Sequence, residues 1–163
     1  MTGDGRANGV GRFCCVRRVR AGVDGLRGLG AELFGAILHH PADPGKVDRV
    51  LLCSGKLYFE LAEERARLKD DKVAILRLEQ LYPLREAELT KVLARYQPKQ
   101  FVWVQEEPEN MGARQYLSTR LPALVGDRPL SWVHRPMSGS PATGSHKAHV
   151  IEQRRILDAA FKR

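Results

Sequence analysis

Two short segments of this chain set a cation among small or hydroxyl-bearing residues, the combination an anion site requires. Ser54-Gly55-Lys56 follows the apolar run Val47 to Cys53. At a strand-to-helix turn, a small residue, a glycine that permits close backbone approach and a lysine can hold a phosphate. The plainer alternative is that Gly55 makes the turn and Lys56 is solvated. The second segment begins at Arg135 and continues through Ser138, Gly139, Ser140, Thr143, Gly144 and Ser145. Its hydroxyls can cap the helix that follows, and its N–H groups together with Arg135 can hold an anion. It is no Walker loop, because Lys147 is not directly preceded by the required glycine.

Other groupings carry weaker chemistry. Glu106 and Glu107 form a carboxylate pair, but adjacent residues on a strand point to opposite faces and do not converge as an acid–base pair must. A polar edge facing a partner domain or loop amide groups is the expected role of Gln105-Glu106-Glu107-Pro108. Cys53 with His134, His146 or His149 would make a thiol nucleophile, yet Cys53 ends an apolar run and reads as a core residue. Cys14-Cys15 with His39-His40 lacks the two-residue gap that zinc sites use. No metal site is expected.

The elements that must position these residues follow from hydrophobic periodicity. Val47–Cys53 reads as a buried strand, preceded by the turn Asp43-Pro44-Gly45. Leu57, Leu61, Ala62 and Leu68 recur at helical spacing up to Asp70-Asp71. A strand is expected over Val73–Leu78 and a helix over Arg85–Tyr96, with Leu89, Val92, Leu93 and Tyr96 inward and Pro98 closing it. Then come a strand over Phe101–Val104, a helix from about Met111 to Leu124, a strand over Leu130–His134 and a last helix over His146–Phe161. That helix should turn Val150, Leu157, Ala160 and Phe161 inward. Strands alternating with helices through short loops demand an α/β, three-layer domain: a mostly parallel sheet with helices on both faces. Ligands of such sheets collect beyond the carboxyl ends of the strands, where both cationic segments lie.

Four segments in fixed order carry a resemblance: Leu52–Phe59 (LCSGKLYF), Arg77–Leu84 (RLEQLYPL), Trp103–Gly112 (WVQEEPENMG) and Arg135–His146 (RPMSGSPATGSH). From about residue 34 to 161 the chain resembles the C-terminal domain of the thiamine-diphosphate-dependent, decarboxylating first component of 2-oxoglutarate dehydrogenase. That domain is similar to the transketolase C-terminal domain, in agreement with the periodicity. The resemblance implies that the intact enzyme, an oxidoreductase of the tricarboxylic acid cycle, decarboxylates 2-oxoglutarate on thiamine diphosphate and magnesium and passes the succinyl group to a lipoyl arm. It implies that the catalytic and cofactor residues lie in upstream domains, so this chain is read as a C-terminal fragment without catalysis or cofactor of its own. Implied partners are the remaining domains, a dimer mate and the succinyltransferase component. In some members an allosteric pocket takes AMP or acetyl-CoA, and Ser54, Lys56, Gln105 and Arg135 match positions around it. Gly3-Asp4-Gly5 begins like the diphosphate motif but lacks the downstream asparagine, since the only asparagines are Asn8 and Asn110. The alternative is a free-standing nucleotide- or CoA-binding module regulating a partner.

Charge and composition bound these readings. The 163 residues carry a net charge of +8. Six arginines against three acidic residues in the first 40 give +3, and 21 basic against 16 acidic residues in the remainder give +5. The second set is interleaved along helices, which favours a solvated surface over a nucleic-acid footprint. Nine of the 15 glycines fall in the first 35 residues, where no apolar period persists. Residues 1–33 are therefore expected to be disordered and unlike the family, as an out-of-frame start would be. No apolar run is long enough for a membrane span or signal peptide, so a cytoplasmic protein is expected.

Overall fold

In the structure, a computed structural model, residues 37–39 and 42–162 are described. The expectations for residues 1–33, which include Cys14-Cys15 and Gly3-Asp4-Gly5, and for His40 lie outside them. Five strands form one sheet: β1 (Ile37–His39), β2 (Arg49–Cys53), β3 (Val73–Leu78), β4 (Gln100–Pro108) and β5 (Leu130–Arg135). Their order is β1-β3-β2-β4-β5. β2, β3, β4 and β5 run parallel, and β1 pairs antiparallel with β3 at one edge, with Ile37 opposite Leu78. The connecting helices are α1 (Leu57–Leu68), α2 (Glu86–Leu93), α3 (Arg114–Ser118), α4 (Leu121–Val125) and α5 (His146–Phe161).

Strands covered on both faces read as continuous apolar runs, and β2, β3 and the first half of β4 do so here. Val50, Leu52, Ala74, Leu76, Phe101 and Trp103 pack on α2, α3 and α4 through Leu89, Leu93, Leu117, Leu121 and Val125. On the other face Leu51, Cys53, Ile75, Val102 and Val104 meet Leu57 and Leu61 of α1 and Ile156 and Ala160 of α5. This is the expected three-layer α/β arrangement. Arg128 closes the amino edge of the α2/α4 layer: its guanidinium lies 4.6 Å from the Phe101 ring centre and donates to the carbonyls of Val125, Leu93 and Tyr96. Carbonyls freed at two helix ends thereby find a donor.

The elements depart from expectation where side chains compete with the backbone ladder. The helix expected over Met111–Leu124 is two short ones. Ser118 and Thr119 turn their hydroxyls back onto the carbonyls of Gln115 and Tyr116, and Pro122, within the first two positions of α4, cannot donate to a continuing helix. β4 runs four residues past Val104 to Pro108, with a register shift against β5 between those two positions. Val150 is exposed, and Ile156 takes the inward position on α5; Leu68 is exposed at the end of α1. Asp43-Pro44-Gly45 is a turn, continued as one 3-10 turn over Pro44–Lys46 with Asp43 accepting from the Gly45 N–H.

Candidate functional site

Because β2, β4 and β5 are parallel, their carboxyl ends share one edge, and the chain leaving β2 delivers Lys56 there. Gly55 at φ 63 makes the strand-to-helix turn, a backbone that L side chains rarely adopt. Lys56 precedes α1, whose first turn has no side-chain cap. Its ammonium lies 2.8 Å from Glu106 Oε1 and 3.9 Å from Glu60 Oε1. The Glu106 hydrogen bond, ahead of the opposing effect of burial, pushes the Lys56 pKa up, so the ammonium stays charged.

Arg135 ends β5 and is committed on three sides. Its Nε donates to the Glu106 carbonyl, one terminal nitrogen to Glu152 at 3.2 Å, and the other to the Pro141 carbonyl. Lys56 and Arg135 line the same cavity of about 220 Å3, with Glu106, Thr143, His149 and Glu152 among its other walls. Arg135 also braces the loop and α5, so replacing it disturbs more than a ligand contact. Two carboxylates hold the two cations, Glu106 at 2.8 Å from Lys56 and Glu152 at 3.2 Å from Arg135, while the Glu107 side chain lies against Gly112 on the other face of β4.

Gln105 and Ser54 are not among the residues lining this cavity. Gln105 is buried on the Trp103 face of β4. Its Oε1 accepts from Trp103 Nε1 and the Arg114 N–H, both at 3.0 Å. Its Nε2 donates to the carbonyls of Glu107, Pro108 and Met111. It folds the Glu107–Met111 turn onto the sheet. Gly112, at φ 68, permits that closure, since a Cβ there would stand 3.1 Å from the Glu107 side chain.

The hydroxyl-rich loop is largely self-contained. Ser145 caps α5 by accepting from the Ala148 N–H, Ser140 donates to the Ala142 carbonyl, and Asn110 exchanges two hydrogen bonds with the backbone of Ser138. Thr143 faces the cavity. Cys53 is fully buried, and burial pushes its thiol up to about 12, which leaves it a protonated core residue. Sequence reasoning missed Glu152, His149 and Gln153 in the cavity wall. The spacing of His149 and Glu152 on the last helix was the available signal, one turn apart on one face.

A second cavity, about 370 Å3, lies at the opposite, amino edge of the sheet between Asp48, Arg49, Lys72, Lys99 and Gln100. Arg49 donates there to the carbonyls of Ala160 and Lys162 at the end of α5, where cations offset a helix's free acceptors. Among the described residues no three His, Cys, Asp or Glu side chains gather as a metal site, and no helix is long and apolar enough to cross a membrane.

Fold and cavity define a three-layer α/β domain with a charged recess beyond its strand ends. The family model for the 2-oxoglutarate dehydrogenase C-terminal domain matches residues 29–161, and the chain belongs to that family. It is similar to the multifunctional 2-oxoglutarate metabolism enzyme of Mycolicibacterium vanbaalenii, 39% identical over 153 residues that cover 88% of this chain and 12% of that protein. The enzymes of the same name from Mycobacterium sp. strains KMS and JLS are 37% identical over the same shares. The chain thus spans 12% of the length of these curated relatives.

Proposed function

We propose that this domain serves a 2-oxoglutarate dehydrogenase first component in two ways, as an assembly element and as a sensor that takes a phosphate-bearing regulator at its strand ends. The intact enzyme would decarboxylate 2-oxoglutarate on thiamine diphosphate and magnesium in the cytoplasm as part of the tricarboxylic acid cycle. Its other domains, a dimer mate and the succinyltransferase component would be the partners. Its thiamine diphosphate and magnesium would be held by those other domains.

The observation that supports the sensor role is the convergence of Lys56 and Arg135 on one cavity at the carboxyl edge of a parallel sheet. At about 220 Å3 the recess suits the phosphate end of AMP or acetyl-CoA, with the remainder of the ligand outside it. Lys56 supplies a charge-assisted contact, and Arg135 holds the loop bearing Thr143 in place. Calorimetric titration of the 163-residue chain with AMP and acetyl-CoA tests this. Lys56→Ala should weaken binding about tenfold, the worth of one exposed charge-assisted hydrogen bond. Absence of binding by the wild type, or equal binding by both, returns the recess to an internal ion-pair network. The rival, a free-standing nucleotide- or CoA-binding module, draws on the two-sided core of the described unit; binding leaves it standing, and absence of binding removes it too.

A further inference from the structure

We propose that Glu106 is an internal competitor for the anionic ligand of the strand-end recess, so that Lys56 reaches a bound phosphate only by leaving the Glu106 carboxylate. This rests on the phosphate-binding reading above. β4 carries Val102 and Val104 on the α1/α5 face and Gln105 on the other, so the next residue, Glu106, is brought to the α1/α5 side and into the recess. There it holds Lys56 at 2.8 Å, while the second carboxylate near Lys56, Glu60, stands at 3.9 Å.

The two cations are not equivalent. Arg135 is only 13% exposed, and its Nε and both terminal nitrogens already engage the Glu106 carbonyl, Glu152 and the Pro141 carbonyl. Lys56 is 65% exposed on a flexible four-carbon stem, which makes it the cation free to change partners. Exchange is easy because an ion pair so open to solvent is weak. It is also necessary: Glu106 and Glu152 already neutralise Lys56 and Arg135, so a phosphate entering without rearrangement meets no uncompensated cation. Glu106 thereby sets a threshold. Ligands with one weak negative charge do not displace it, and ligands carrying a phosphate dianion do.

A double-mutant cycle over Lys56→Ala and Glu106→Gln, titrated with AMP and with acetyl-CoA, tests the proposal. Glutamine keeps the shape of the side chain and removes its charge, and thermal melting of each variant confirms that it is folded. Glu106→Gln is expected to tighten binding about fivefold or more when Lys56 is present, and by less than about twofold when Lys56 is alanine. Tightening by the same factor in both backgrounds would make Glu106 a general repeller and overturn the competitor role. No tightening in either overturns it as well. If no protein in the cycle binds either ligand, the phosphate-binding reading itself falls, and the competitor with it.

Discussion

Replacing Gln105 by leucine tests the buried brace under the recess. Leucine matches the volume but abolishes five hydrogen bonds, two accepted by Oε1 and three donated by Nε2. Trp103 Nε1, which is buried, and the Arg114 N–H, which is part-buried, then lose their partner, and an unpaired buried donor costs about 1–3 kcal/mol. The carbonyls of Glu107 and Met111 are closer to solvent and recover part of theirs from water, whereas that of Pro108 is buried. Two stranded donors give about 2–5 kcal/mol of destabilisation, offset in part by roughly 1 kcal/mol from burying an apolar group. Urea unfolding followed by tryptophan fluorescence reads this, because Trp103, one of the two tryptophans, is a reporter and one partner at once. A midpoint lowered by the equivalent of at least about 1.5 kcal/mol at unchanged slope is expected. A loss below about 0.5 kcal/mol would refute the idea that Gln105 holds the turn, and would return it to the ligand-binding role its place in the sequence suggested.

Two further predictions concern stability. Glu64, buried between Arg67 at 2.6 Å and Arg154 at 3.0 Å, is drawn down from 4.5 to about 2, chiefly by the hydrogen bonds from Arg67. With the folded value below the unfolded one, its contribution is fully present above about pH 4.5 and is lost as pH falls toward 2. Screening by solvent at the half-exposed arginines leaves about 1–2 kcal/mol, so Glu64→Gln should flatten the acid limb of a stability–pH curve by that amount, and an unchanged limb would exclude the pair as its source. Gly112→Ala forces a Cβ into positive φ and against Glu107 at 3.1 Å, which should cost about 1–3 kcal/mol in urea unfolding; a neutral effect would show that the turn relaxes freely.

The central strands and the last helix were legible because burial on both faces writes a continuous apolar run, and α5 carries both a serine cap and a long period. Val73–Leu78 and His146–Phe161 stand where expected. The edge strand β1 was not legible, being three residues long and formed by pairing with β3 far along the chain. The break between α3 and α4 turned on hydroxyls bonding back to carbonyls, a choice that periodicity does not encode. Within the recess, Lys56 and Arg135 were readable from their places after strands, since parallel pairing brings such positions to one edge. Gln105 stands off the wall of the recess because its face of β4 is that of Trp103, and strand position gives a face only once the register is known. The carboxylates that hold the two cations were hidden for a similar reason: Glu106 meets Lys56 across 50 residues of sequence.

The claim that the carboxyl-edge recess is where this domain takes a phosphate-bearing ligand is tested most directly by amide chemical-shift mapping of the 163-residue chain during titration with AMP and acetyl-CoA. The predicted result is a saturable set of shifts centred on Lys56, Glu106, Thr143, His149 and Glu152, with Asp48, Lys72 and Lys99 at the opposite edge unmoved. Shifts centred on Asp48, Lys72 and Lys99, or none at either edge, would contradict it.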